Sequence, residues 1–419
     1  MELEILRRSQ KKGENYRIMR RKTDKILWTL LLGVFIFHGI LENILPPLSV
    51  FDEGIALLCF PLAVYDYFCN TRMQGIRLTK SKKVELVLLL TFLLCGFAGN
   101  ILYKFQPVWV VAVSAVLAAK FFMILLTAGY LQKYLKIELE EQELSVQILS
   151  LLWFAYYGLS IIFPNIFAAP EAWDICAKSA LLFALLIFCD HKRVWLYRLC
   201  LLMMVVMLLL SGKEKAYGAI LVFVILYYLI VHRKVQTKIR YILYMAVPIV
   251  FLAWDKIYYY YVQGHGRYAK SIMTSTAFKI AKDYFPIGTG FGTFGSTYAK
   301  QIYSPVYYLY GIADNPELGV ESKQYLTDLF WPILFGETGI LGTILYCGLI
   351  LLLFIQIQRV YFYNKKKYFL LIYMFVFMLM TTFSEAGFMQ PMVMVFAFIM
   401  GTVLEEYEEK RNQKMKYFD

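Results

Sequence analysis

Read for hydrophobicity alone, the chain is a train of long apolar runs separated by short polar gaps. Twelve runs, at about 26–45, 49–69, 84–103, 107–131, 146–166, 175–190, 194–211, 216–232, 239–261, 329–356, 368–386 and 388–404, approach the roughly 20 apolar residues a helix needs to cross a bilayer. Asp66, Lys178 and Gly401 interrupt the second, sixth and twelfth. Only residues 262–328 break the rhythm for long, mixing Gly, Tyr, Ser and charges of both signs. They offer few apolar positions for a core of their own, so the segment is expected to lie against the helices. Within it "FKIAKDYF" sets apolar residues at helical spacing and predicts a short helix. The pattern predicts an all-α, polytopic transmembrane helix bundle of about twelve spans, with one large loop containing short helices. No internal repeat of the kind found in many secondary transporters is visible.

Composition changes the picture only by making a water-soluble fold untenable. The chain is 60% apolar and 17% charged over 419 residues, against about 45–50% and about 25% in soluble domains. A net charge of +13 would suggest nucleic acid in a soluble protein, but here the basic residues sort by loop. With the N-terminus inside, 31 of the 43 Lys and Arg fall in segments on that side, as the positive-inside rule requires. One helix more or fewer would carry "HRKVQTKIR" and "NKKK" outside. The expected layout is a basic cytoplasmic N-terminus over 1–25, nine helices over 26–261, an extracytoplasmic loop over 262–328, three helices over 329–404 and a cytoplasmic tail over 405–419. The first 25 residues lack an apolar core ahead of a small-residue cleavage site, so no cleaved signal peptide is expected. Seven cysteines lie in or beside apolar runs without metal-type spacing; they read as small buried hydrophobes, and no metal or cofactor is expected.

Candidate chemistry gathers around the long loop. Gly288, Gly290, Gly292 and Gly295 give a backbone free to adopt positive φ and to approach a ligand closely, and successive amides in such a turn can cradle an anion. A turn-rich connection with no ligand uses glycine for the same reason. No Gly-Lys-Ser/Thr follows, so this is not a Walker loop. Glu337 lies between Gly336 and Gly339 inside an apolar run, where an ionisable group is either functional or paired within the helix packing. Lys120 sits mid-run, far from both interfaces, and requires a carboxylate, a cavity or a ligand phosphate. The run Tyr258 to Tyr261 reads as an interfacial girdle, with stacking on sugar rings as the alternative.

Four stretches together resemble the O-antigen polymerase and O-antigen ligase superfamily, especially Gram-positive capsular or exopolysaccharide polymerases. They are "GRY" at 266–268, "PIGTGFGTF" at 286–294, "TDLFWPILFGETGILGTILY" at 327–346 and "LSGKEKAYGA" at 210–219. The resemblance covers about the last half of the chain. It implies a glycosyltransferase of the cytoplasmic membrane that joins polyprenyl-diphosphate-linked oligosaccharide repeats on the outer face, with membrane lipid, a flippase and a chain-length regulator as partners and no nucleotide sugar or metal. Arg267 matches the family's loop Arg, which grips diphosphate. Lys213, with Lys215 two residues on, stands where the family usually has an Arg in a second motif, so point charges would replace a bidentate fork. Asp328 stands near the place of a His-Asn pair found in the ligases, and with Glu337 it is the candidate acceptor base. The resemblance therefore implies Arg267, Asp328 and Glu337 as catalytic residues and Lys213 and Lys215 as substrate-binding ones; Gly288, Gly290, Gly292 and Lys120 join the substrate-binding candidates on their own residue chemistry, with the alternatives given above. Alternatives are a ligase delivering finished glycan to another acceptor, or a flippase for the same lipid-linked sugar.

Overall fold

The computed structural model describes residues 23–44, 51–73, 79–135, 139–189, 193–252, 254–263, 267–323 and 325–416. Arg7 to Lys22, Arg77, His265 and Gly266 lie outside the described residues, as do the side chains of Asp66, Tyr260 and Tyr261. Among the described residues every regular element is a helix. In chain order they are α1 (23–36), α2 (His38–Ile44), α3 (Phe51–Met73), α4 (Lys80–Tyr103), α5 (Val108–Leu135), α6 (Glu143–Ile162), α7 (Ala172–Phe188), α8 (Val194–Leu210), α9 (Glu214–Tyr227), α10 (Ile239–Leu252), α11 (Trp254–Ile257), α12 (Ala269–Asp283), α13 (Thr297–Ile302), α14 (Pro305–Leu309), α15 (Phe330–Val360), α16 (Lys365–Thr381) and α17 (Val393–Lys416).

Helices thus stand at the twelve expected positions, but fewer meet the full demands of a membrane crossing. Among the described residues five are long and apolar enough: Lys80–Tyr103, Val108–Gln132, Glu143–Ile162, Glu214–His232 and Phe330–Val360. The helices α7, α8 and α16 have 17 residues each, about 25 Å of rise against a hydrocarbon core of about 30 Å. In α17 the second half turns polar, with Glu405, Glu406, Glu408 and Lys410 in succession.

The chain divides into two compact units, Met1–Ser49 with Tyr130–Ser211, and Val50–Gly129 with Gly212–Asp419. In the first, the two charges of α7 neutralise each other: Lys178 donates to Asp174 one turn away at 2.8 Å and lies 5.0 Å from the Trp153 ring centroid. This pairing is why a Lys is tolerated in an apolar helix.

All expected site residues fall in the second unit. Its frame is α4 packed along α15, with α12 against the first turns of α15. Side-chain caps define two ends sharply. Asn364 accepts from the Lys366 and Lys367 amides at the start of α16, and Ser304 accepts from the Val306 amide where Pro305 opens α14, satisfying donors that a helix start leaves free. The segment 267–329 also differs from expectation. It builds an apolar cluster of its own, in which Met273, Ala277 and Ile280 of α12 meet Phe294, Tyr307, Leu318 and Leu326. Small residues on one face of α12 let the aromatic side chains reach inward, a complementarity that counting apolar residues does not register.

Candidate functional site

The glycine-rich loop is a plug fitted to a kink. Gly339, at φ 63° and ψ −164°, breaks the helical conformation inside α15, which frees backbone groups that a straight helix would pair internally. The loop takes them up. Thr289 and Gly290 amides donate to the Gly336 and Glu337 carbonyls at 3.0 and 2.8 Å, and the Leu341 amide donates to the Pro286 carbonyl at 3.0 Å. The approach leaves no room for a side chain: a Cβ on Gly288 would lie 2.5 Å from the Gly339 nitrogen. On its other side the loop docks on α4, where Asn100 brackets Phe291, accepting from its amide at 2.7 Å and donating to its carbonyl at 3.0 Å. A Cβ on Gly290 would sit 2.4 Å from Asn100 Cγ, and one on Gly292 would sit 2.9 Å from Ser114 Oγ.

The nest of amides expected to hold a ligand anion already holds a carboxylate. Glu337 Oε1 accepts from the Phe294 amide at 3.2 Å and from Ser296 Oγ at 2.6 Å, and the Gly292 and Thr293 amides also face its carboxyl. The side chain is 1% exposed. In this structure Gly288, Gly290 and Gly292 make their close approaches to protein, and the Glu337 carboxyl is anchored by donors of the same loop. Lys120 is likewise accounted for: at 1% exposure it donates to Glu53 of α3 at 3.0 Å, so the requirement for an opposite charge in an apolar setting is met by the protein.

A second grouping has the opposite character, open and only partly matched. Asp328, half-buried just ahead of α15, makes no hydrogen bond or ion pair among the described residues. Around it stand Lys270 from the first turn of α12, Lys300 from α13, Lys213 from the turn before α9, and Glu385 from the turn after α16. Burial pushes the Asp328 carboxyl above the usual carboxylate range; Lys270, Lys300 and Lys213 pull it down and Glu385 pushes it up. Lys215 donates to Glu385 at 2.5 Å, and Lys270 donates to the Ser384 carbonyl at 3.4 Å, so two lysines from different helices hold the 384–385 turn beside Asp328. Lys213 and Lys300 have no ion-pair partner among the described residues. Among the described residues this places four cations and a second carboxylate around an acid of raised proton affinity.

Of the expected residues, the fold therefore brings Lys213, Lys215 and Asp328 into one neighbourhood. Arg267 is exposed two residues before α12, at the end of that helix which carries Lys270. Glu337 and the glycines form a separate, closed constellation two turns into α15. Sequence reasoning did not single out Lys270, Lys300 or Glu385: the first two are ordinary charges of the long loop and the third closes the eleventh apolar run, so no local pattern marked them. No protein-family model matches this chain, and no curated protein gives a match.

Proposed function

We propose that the chain is a membrane glycosyltransferase that polymerises polyprenyl-diphosphate-linked oligosaccharide repeats, with Asp328 as the acceptor base and Lys213, Lys270 and Lys300 as the diphosphate site. The carrying observation is the group of three cations, each from a separate element, around a half-buried carboxylate that has no hydrogen-bond or ion-pair partner among the described residues. In the reaction an acceptor hydroxyl gives its proton to the Asp328 carboxylate and its oxygen bonds to the donor's anomeric carbon. The bond from that carbon to the diphosphate oxygen breaks, and its electron pair leaves with the diphosphate. Fixed ammonium groups stabilise the charge that grows on the leaving group, and a carboxyl of raised proton affinity is a stronger base for the hydroxyl than an ordinary one. Arg267, exposed at the same end of α12, supplies a planar fork for a phosphate entering the site. The proposal includes twelve spans, both termini in the cytoplasm and the 262–328 segment on the outer face, where the Lys and Arg distribution puts it.

The test is full-length protein in lipid vesicles, given a polyprenyl-diphosphate oligosaccharide. A ladder of lengthening glycan that disappears in Asp328→Asn supports the reading. A single transfer to a foreign acceptor indicates a ligase, and movement of intact substrate across the bilayer without bond formation indicates a flippase; either overturns polymerisation.

A further inference from the structure

Where α12 lies along the first turns of α15, an open groove of about 360 Å³ is lined by Phe278, Ala281, Lys282, Phe285, Phe335 and Ile340. The Phe278 and Phe335 rings stand 5.0 Å apart across it. Phe278 is 55% exposed and Phe285 66%, an apolar concentration that calls for a covering. Beyond the groove the exposed apolar residues of α15 continue as Ile340, Ile344, Leu351 and Ile355, spacings that keep one helix face. That helix is long and apolar enough to span a membrane, so the groove opens onto a track running into the hydrocarbon layer.

The polar end is as particular. Lys282 lines the groove, and Lys279 is one turn back on the same helix; both are exposed, and neither has an ion-pair partner among the described residues. Among the described lining residues only Lys282 has a hydrogen-bonding side chain, so a peptide lying there would leave backbone groups unmatched, which is costly. An apolar chain with an anionic head meets no such penalty. Lys282 is twelve residues beyond Lys270, about 18 Å along α12, too far for a diphosphate held at the Asp328 site to reach both.

We propose that this groove binds one anionic phospholipid of the surrounding bilayer, with its phosphate against Lys282 and Lys279 and an acyl chain laid along Phe278, Phe335, Ile340 and Ile344. The inference stands apart from the polymerase reading and needs only that α15 cross the membrane. The experiment is native mass spectrometry on the detergent-purified full chain, titrated with phosphatidylglycerol, with phosphatidylcholine of the same acyl chains, and with a polyprenyl monophosphate. Phosphatidylglycerol is expected to bind more tightly than phosphatidylcholine. The double variant Lys279→Gln/Lys282→Gln should weaken phosphatidylglycerol about thirtyfold, since one lysine near an anionic lipid contributes roughly fivefold. Lys279→Arg/Lys282→Arg should restore it. Equal binding of the two phospholipids, or unchanged phosphatidylglycerol binding in the Gln variant, overturns the site. Polyprenyl monophosphate displacing phosphatidylglycerol at lower concentration overturns it too, by giving the groove to a different amphiphile.

Discussion

Replacing Glu337 separates an anchoring carboxylate from a reacting one. Both of its short hydrogen bonds, from the Phe294 amide and from Ser296 Oγ, end on Oε1, and all three groups are buried. In Glu337→Ala each donor loses its acceptor without gaining water, at about 1–3 kcal/mol apiece, giving a loss of about 2–6 kcal/mol. At roughly 2 °C per kcal/mol, taken from domains of 150–250 residues, melting should fall by about 4–12 °C. Glu337→Gln keeps an oxygen able to take both bonds and loses only the contacts of the second oxygen, so its melting temperature should fall by less than half as much. Turnover in Glu337→Gln should stay near wild type if the carboxyl, 1% exposed beneath the glycine loop, serves as an anchor. The measurement is thermal unfolding of detergent-purified protein followed by size-exclusion fluorescence, with glycan polymerisation in vesicles alongside. Wild-type melting combined with a loss of turnover of about 10² or more in Glu337→Gln, the size expected for a lost general base, would refute the anchoring role.

Asp328 should govern the acid side of the pH profile. As a base it works deprotonated, so turnover is lost as pH falls through its raised pKa, at a higher pH than an ordinary carboxylate would give. Glu385→Gln removes a like charge and should move that acid limb to lower pH, whereas Lys213→Gln or Lys300→Gln removes a stabilising cation and should move it to higher pH; shifts in the same direction would contradict the arrangement. Arg267→Ala should lower turnover about 10²-fold to 10³-fold if the guanidinium stabilises departing diphosphate, with Arg267→Lys recovering only part, because an ammonium lacks the two-donor fork. Full recovery in Lys would mark a simple interfacial anchor. A topology reporter inserted at Glu321, in the exposed part of the long loop, should read outside and one after Lys366 inside; an inside reading at Glu321 would remove the outer-face reaction.

The helices were legible because apolar run length is a local property, and ends such as the start of α5 just after Pro107 follow from residues adjacent in sequence. The membrane-crossing subset was less so. Lys178 looks the same in a sequence whether it is stranded in lipid or paired with Asp174 and laid over Trp153, and the partner decides whether α7 is tolerated. Lys120 posed the same problem. Its carboxylate, Glu53, lies 67 residues away, so the need for a counter-charge could be derived while its identity could not. The Asp328 neighbourhood was half legible for a similar reason, since Lys270, Lys300 and Glu385 reach it only after α12, α13 and the turn following α16 have folded onto the same end of α15.

In the glycine loop the backbone expectation leads to a partner inside the chain, the Glu337 carboxyl. Positive φ at Gly288, Gly290 and Gly292 and exposed successive amides are what an anion site requires, and the loop does present such a nest. Nothing in the spacing of glycines says whether the anion comes from solution or from the chain. A deciding criterion is available in principle: a lone acid in an apolar helix needs donors, and a buried nest needs an acceptor. When one sequence contains both and neither has another partner, their mutual satisfaction avoids two desolvation penalties at once. Glu337 is the isolated acid of its helix and the 288–296 loop is the glycine-richest turn of the chain, so the pairing follows from that criterion. The same logic turns attention to charges that remain unmatched after folding, and among the described residues around Asp328 those are Lys213 and Lys300. Cations held near a half-buried acid by separate elements, the turn before α9 and α13, are the reason the proposed reaction is placed there rather than at the loop.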